Sequence, residues 1–188
     1  MNWNDRRKRN ARRRRALRVA AGALTLVGIV LLLGLLLPKE HVSRGQLLLV
    51  GRPPETVWRV LTDLDGMPLW RSDITRLERL PDLDGRQTWR EVNRAGVSTV
   101  ESLLAEAPRR MVIQRRQEGR PVLPSRTVEL LATESGTEVR VIERTLVTNP
   151  LRRIFLRVGM IEPSVTRFLR DLDGRLNLAR RIAAEEER

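Results

Sequence analysis

The order of apolar patterns along this 188-residue chain predicts an α+β protein. In that fold a curved antiparallel sheet encloses a long C-terminal helix, and one transmembrane helix precedes the sheet. Three observations predict it: an uncharged apolar run at 19–37, six consecutive strand-like segments between 74 and 147, and helical periodicity from 149 onwards. Consecutive strands with short turns favour an antiparallel meander over alternating βαβ units.

The apolar run at 19–37 contains no charged residue. As a helix it would span about 28 Å, close to the hydrocarbon core of a bilayer. A buried soluble helix and a cleaved signal peptide are the alternatives. The run is longer than the apolar region of most signal peptides, and it ends at Leu37-Pro38 without a small-x-small cleavage site. We therefore expect an uncleaved signal anchor.

Basic residues are concentrated before the apolar run. Residues 1–18 hold nine Arg or Lys and one acid, so this tail contributes +8 of the formal charge of +13. The positive-inside rule then predicts a cytoplasmic tail and an extracytoplasmic domain over 38–182, followed by a frayed end at 183–188. We expect the tail to contact anionic lipid headgroups, and we expect no nucleic-acid binding.

The domain begins with a strand and two helical segments. Residues 41–50 read as a strand, and Pro53-Pro54 is suited to opening a helix. Val57, Val60, Leu61 and Leu64 follow at the spacing of one helical stripe. A break at 65–68 leads into a short aromatic segment around Trp70.

Six strands then follow, each bounded by turn residues. The predicted strands cover 74–80, 86–92, 96–105, 110–116, 126–132 and 138–147. The segment 81–85 between the first two, Pro-Asp-Leu-Asp-Gly, is typical of a hairpin turn.

The chain returns to helical periodicity at Asn149-Pro150. A first apolar stripe runs from Leu151 to Val158, and Gly159 and Pro163 interrupt it. A longer stripe then extends from Val165 to Ile182. The full order is therefore β-α-α-β6 followed by a long C-terminal helix.

Three segments carry a recognisable pattern: RPPETVWRVLTD at 52–63, MPLWRSDI at 67–74, and Asn-Pro-Leu at 149–151. They resemble the START-like (SRPBCC) superfamily, and in particular its polyketide cyclase/dehydrase and lipid-transport family. The resemblance covers about residues 41–178. It implies a helix-grip fold with a cavity between the sheet and the long helix that holds an apolar ligand.

The composition restricts the possible chemistry. The chain has one His, no Cys and no Tyr, so we identify no catalytic constellation, no metal site and no cofactor. The leading hypothesis is a membrane-anchored domain that binds or transfers an apolar ligand, such as a lipid. A cyclase/dehydratase-type enzyme and a non-catalytic interaction module with a collapsed cavity are the alternatives.

Candidate cavity residues follow from the predicted fold. We expect Trp70, Phe168, Leu169 and Leu172 to border one enclosed apolar space of about 300–1,000 Å³. Trp89 and Glu91 share one strand face, and both line the cavity if that face is turned inward. The residue pattern does not decide between the inward and outward orientation.

Charged residues recur along the strands. We expect them to form cross-strand ion pairs on a solvated outer face. An inward Glu–Arg pair would instead indicate a polar anchor for a ligand headgroup. The residues concerned are Glu101, Arg115, Glu129, Arg140, Glu143 and Arg144.

Overall fold

A computed structural model describes the backbone of residues 3–93, 96–116 and 124–186, and the side chains of 17–93, 96–116 and 124–177. The chain forms two compact units. The first comprises the chain up to Lys39 together with Val147–Met160, and the second comprises Glu40–Leu146 together with the chain from Ile161 onwards.

The first unit contains two helices, α1 (Trp3–Leu36) and α4 (Pro150–Arg157). Within α1, Leu17–Leu36 is long and apolar enough to be a membrane span or a signal anchor. The side chains of the Arg-rich tail before Leu17 lie outside the described residues. Helix α4 begins as its sequence predicts, because Asn149 accepts a hydrogen bond from the Arg152 amide and Pro150 needs no backbone partner.

The second unit is built on one seven-stranded sheet in the order β1-β7-β6-β5-β4-β3-β2, and all neighbouring strands are antiparallel. The helices of this unit are α2 (Pro54–Thr62), α3 (Met67–Trp70) and α5 (Ser164–Glu186). The predicted α+β fold with six consecutive strands and a long C-terminal helix is confirmed. The strands are β1 (Glu40–Val50), β2 (Arg76–Leu83), β3 (Arg86–Asn93), β4 (Gly96–Glu106), β5 (Arg110–Arg116), β6 (Ser125–Thr133) and β7 (Gly136–Leu146).

The first hairpin is tighter than the sequence predicts. Strand β2 continues to Leu83, and only Asp84 and Gly85 form the turn. Both residues have positive φ, 51° and 72°, which is the backbone that a two-residue type I′ hairpin requires. The ladder is irregular between Leu80 and Leu83, so Pro81, which has no amide hydrogen, lies in the strand without breaking a regular pair.

Helix α5 packs on the sheet through one apolar stripe that includes Val165, Leu169 and Leu172. Its close approach to β1 depends on Gly45. A Cβ atom at Gly45 would lie 2.7 Å from both Leu169 Cδ1 and Val165 Cγ1, closer than carbon atoms can pack. The absence of a side chain at this position therefore lets the helix lie against the strand.

We predict that Gly45→Val lowers the free energy of unfolding by about 1–3 kcal/mol, because the added carbons collide with the packed side chains of Val165 and Leu169. The matched control is Gln46→Val, which adds the same β-branched residue on the exposed side of β1. It should change the free energy by less than about 0.5 kcal/mol. Thermal or chemical unfolding of the two variants tests this, and equal effects would contradict the packing argument.

Candidate functional site

Six charged side chains form two neighbouring ion-pair clusters inside the second unit, which together we call the buried charge network. Strands β3, β5, β6 and β7 each contribute one member from the same face of the sheet, and the segment after α3 contributes the other two. Register places the members of neighbouring strands side by side, since Arg126 lies opposite Glu143 in the β6–β7 ladder. The members are Arg71, Asp73, Glu91, Arg115, Arg126 and Glu143.

Glu91 lies at the centre of one half of the network and is 0 % exposed. Its Oε1 accepts hydrogen bonds from Arg71 Nη1 at 3.3 Å and Trp89 Nε1 at 3.1 Å, and its Oε2 accepts one from Arg115 Nη2 at 2.7 Å. Arg71 also donates to both oxygens of Asp73. Burial by itself would raise the pKa of Glu91, but Arg115 and Arg71 outweigh it and hold the pKa below its usual value.

Arg126 and Glu143 form the other half. Arg126 Nε donates to Glu143 Oε2 at 2.7 Å, and the Ser164 hydroxyl at the start of α5 donates to Oε1. Burial opposes ionisation of Glu143, yet Arg126 and Ser164 hold its pKa below the usual value. The pKa of Arg126 is lowered by burial, against the attraction of Glu143, and by repulsion from Arg71 and Arg115. A guanidinium nevertheless stays charged at neutral pH.

Arg126 retains one unused donor. Its Nη1 is buried and has no hydrogen-bond partner within the described ranges. A buried donor without an acceptor costs about 1–3 kcal/mol. A ligand whose acceptor group reaches Nη1 would therefore remove this cost.

Phe168 of α5 lies between the charged and the apolar parts of the interior. Its ring centroid is 4.6 Å from Arg126 Cζ and 5.7 Å from Arg71 Cζ, which are distances typical of cation–π contacts. Its ring also contacts Trp70, with centroids 5.8 Å apart and planes tilted by 57°. These contacts make α3 and α5 adjacent walls of the same interior space.

A second link joins the same two elements at the surface. The backbone amide and the hydroxyl of Ser72 both donate to Asp171 Oδ2, at 2.8 and 2.7 Å. The segment after α3 is thereby fastened to α5 by two hydrogen bonds that involve solvent-exposed groups.

The interior space measures about 20 Å³, which is room for about one water molecule. Among the described residues this space is far smaller than the expected value of about 300–1,000 Å³. Large side chains from both layers fill the region that the fold leaves between sheet and helix. The space is lined by Leu61, Met67, Trp70, Arg71, Trp89, Met111, Ile113, Arg126, Val128 and Phe168.

The structure brings together three of the six predicted cavity residues, since Trp70, Trp89 and Phe168 all line this space. Glu91 is turned inward, which settles the strand face that the sequence left open, and it binds the side chain of Trp89. Leu169 and Leu172 belong to the packed core instead of the cavity wall.

The outer-face interpretation of the strand charges is wrong for Glu143 and Arg115, which lie on the inner face. Glu143 lies on the same face of β7 as Val139 and Val141, which are both fully buried. Strand geometry therefore places its carboxylate inside. Glu101 is also buried, although it pairs with the exposed Arg116.

The outward orientation is correct for Glu129, Arg140 and Arg144. Among the described residues, however, only Glu129 of these three forms a cross-strand ion pair, with Arg110, since Arg140 pairs with Glu138 of its own strand. Arg144 is exposed, and the side chains of Arg140 and Glu129 are 52 % and 37 % exposed. These residues lie where the pleat turns them towards solvent.

The sequence analysis did not single out Arg71 and Arg126 as site residues. The sequence pattern could have indicated Arg126, because it shares the buried face of β6 with Val128 and Leu130. Arg71 had no comparable signal, because it lies at the end of a four-residue helix where periodicity carries no information.

We predict that Glu91→Gln lowers the free energy of unfolding by about 3 kcal/mol or more, because it leaves the buried charges of Arg71 and Arg115 poorly compensated. Glu78→Gln is the matched control, since Glu78 pairs with Arg90 and its side chain is 49 % exposed. That change should cost less than about 1 kcal/mol. Denaturant titration of both variants is the measurement, and a Glu91→Gln effect no larger than the control would refute the central role of Glu91.

Solved structures with the same fold come from several bacteria. A START superfamily protein from Mycobacterium smegmatis is 14 % identical, with a TM-score of 0.56 over 76 % of this chain and 99 % of its own. The Zhui aromatase/cyclase of Streptomyces sp. R1128 is 16 % identical, with a TM-score of 0.55 over 73 % and 94 %. Protein MLL2253 from Mesorhizobium loti is 21 % identical, with a TM-score of 0.54 over 74 % and 98 %. At these identities the likeness concerns the fold alone.

A search of curated protein sequences finds no significant match. A family model described as polyketide cyclase/dehydrase and lipid transport matches residues 49–178, which is more than half of the chain. The matched range includes α2, the segment after α3, the strands that carry the buried charge network, and most of α5. The resemblance seen in the sequence is confirmed, and the chain belongs to the polyketide cyclase/dehydrase and lipid-transport family.

Proposed function

We propose that this protein is a membrane-anchored member of its family that binds an apolar molecule carrying an anionic or strongly accepting group, with a lipid as the favoured class. Binding takes place in the interior between β3–β6, α3 and α5. The single observation that carries this proposal is the unpartnered buried Nη1 of Arg126, a residue that lines the interior space.

The residues that line the space support a ligand with an apolar body and an anionic or accepting end. Its charged members are Arg71 and Arg126, and no carboxylate of the network lines it. The remaining walls are aliphatic, aromatic or thioether side chains. A guanidinium flanked by apolar walls suits a carboxylate, phosphate or polarised carbonyl at the end of an apolar body.

Binding requires that the interior expand, because the present space is much smaller than such a ligand. Met67 and Met111 line it, and methionine side chains rearrange more readily than branched ones. Trp70 lies at the end of the four-residue helix α3, whose attachment to α5 includes the exposed Ser72–Asp171 hydrogen bonds. Movement of this segment is the entry route that we favour.

The membrane part of the proposal rests on α1. We infer that residues 19–37 anchor the chain in a bilayer, that the Arg-rich tail stays in the cytoplasm beside anionic headgroups, and that the domain lies on the other side. The apolar side chains of α1 support this, since Leu24, Leu26 and Leu35 are each more than 60 % exposed. A binding domain tethered to a bilayer meets bilayer-soluble molecules at high effective concentration.

A cyclase/dehydratase activity is the second candidate, and the inward carboxylates Glu91 and Glu143 are the observation in its favour. Their pKa values are lowered by the surrounding arginines, which makes both weak bases at neutral pH. This argues for binding over acid–base chemistry. An interaction module remains the alternative that failure of ligand binding would favour.

We predict that the full chain, purified from membranes in detergent and analysed by native mass spectrometry, carries an apolar ligand that Arg126→Gln removes. Arg90→Gln is the matched control, because Arg90 is an exposed arginine on β3 that pairs with Glu78. It should leave the ligand in place. Arg126→Lys, which keeps the charge, should retain part of the occupancy, and the unfolding temperature of each variant checks that it is folded.

Lipid bound only around α1 gives a different result. It would be equally abundant in the wild-type chain and in a folded Arg126→Gln variant, and that outcome would contradict interior binding. A wild-type chain without any bound apolar molecule would do the same and would favour the interaction module.

A further inference from the structure

The first unit contains a buried arginine that no carboxylate balances within the described part of the chain. Arg153 of α4 is 4 % exposed, and its hydrogen bonds within the described residues all go to backbone carbonyls. Nη1 donates to Gly34 and Leu37 at 3.0 and 3.2 Å, Nε to Val147 at 2.7 Å, and Nη2 to Thr148 at 2.8 Å. The C-terminal end of a helix carries unpaired carbonyls and partial negative charge, so Arg153 caps α1 from a neighbouring helix.

Helix α4 packs side by side with the C-terminal end of α1. A Cβ atom at Gly34 would lie 2.6 Å from the Pro150 carbonyl oxygen, so the two backbones meet laterally at this glycine. Val30, on the same side of α1 as Gly34, and Leu37, directly after the helix, are half-buried. The first turn of α4 is therefore level with the last turns of the apolar span.

The side of α4 opposite Arg153 is apolar and exposed. Leu151, Phe155 and Val158 recur at the spacing of one helical stripe, and they are 38 %, 40 % and 62 % exposed. Met160, just beyond the helix, is 74 % exposed. Arg153 lies about 200° around the helix from Leu151, so the capping contact and the apolar stripe use opposite sides.

The segment is also positively charged. Residues 147–160 contain three arginines and no acid. Arg152 and Arg157 are exposed, and neither pairs with a carboxylate among the residues that the structure describes. An apolar stripe flanked by exposed arginines is the composition of helices that lie in the headgroup region of anionic membranes.

We propose that α4 is a membrane-surface helix that places Leu151, Phe155 and Val158 in the bilayer interface and Arg152 and Arg157 against lipid phosphates. The bilayer that α1 crosses is what covers the exposed stripe, because the contacts of Gly34 and Arg153 hold α4 level with the end of the span. This inference rests on the anchoring part of the proposed function and not on the ligand.

The test uses the full chain in vesicles. The protein has no cysteine, so single cysteines can be introduced and labelled with an environment-sensitive fluorophore. Phe155→Cys reports the apolar stripe, Arg152→Cys reports the exposed polar side of the same helix, and Ile29→Cys reports the span itself. Vesicles of phosphatidylcholine with phosphatidylglycerol contain a lipid that bears a nitroxide quencher near the headgroup or deep in the acyl chain.

We expect the ratio of acyl-chain to headgroup-region quenching to be several-fold higher for the label at Phe155→Cys than for the label at Arg152→Cys, because Arg152 lies among the lipid phosphates and the stripe lies deeper. The label at Ile29→Cys should be quenched by the deep nitroxide. Removing phosphatidylglycerol should weaken quenching at Phe155→Cys, because the flanking arginines lose their anionic partners.

Three other outcomes would overturn the inference in distinguishable ways. Quenching at Ile29→Cys without quenching at Phe155→Cys would mean that α1 is inserted and α4 is not. Equal ratios of acyl-chain to headgroup-region quenching at Phe155→Cys and Arg152→Cys would mean that the apolar stripe does not orient the helix. An absence of quenching at all three positions would remove the anchoring proposal together with this one.

Discussion

The ion pairing of Glu91 inside the second unit is the interaction on which the rest of the interior depends. One carboxylate on β3 accepts hydrogen bonds from Arg115 on β5 and from Arg71 after α3, and so connects the sheet to the segment that covers it. Two guanidinium groups in an apolar interior are tolerated only where an anion and further hydrogen bonds compensate them. Removing this carboxylate would destabilise both arginines together.

The network also determines what the interior can recognise. Its three arginines and three carboxylates balance formally, yet only arginines of the network line the 20 Å³ space. The charge that an entering molecule would meet is therefore positive, although the network as a whole is neutral. Phe168 stacks near both guanidinium groups and shields them from solvent, which makes an added acceptor more valuable than it would be in water.

Much of the fold was predictable because it follows from local patterns. Strand alternation and the Asp84-Gly85 turn locate the hairpins, and the stripe from Val165 defines α5. The site was less predictable because its partners come from distant parts of the chain. Arg71 meets Glu91 across 20 residues, and Ser164 meets Glu143 across 21. The periodicity of the sequence does not predict these long-range contacts.

Two features could not be read from the sequence for physical reasons. Both faces of β3 mix polar and apolar residues, so alternation alone left the orientation of Trp89 and Glu91 undecided. The volume of the interior depends on the rotamers of Trp70, Phe168 and the lining methionines, which the order of elements does not determine. The identity of the ligand and the membrane topology stay predictions.

The titration of the Glu91 carboxyl carbon, followed by NMR on the folded full chain, tests the network most directly. We expect a pKa below the usual value of about 4.3, because Arg115 and Arg71 outweigh burial. A carboxylate whose pKa is lowered on folding stabilises the fold above its unfolded-state pKa, and this stabilisation is lost as the pH falls through the folded-state pKa. Unfolding should therefore accompany protonation in acid. A Glu91 that titrates above about 4.3 in the folded chain would mean that burial dominates, and would contradict an ionised network.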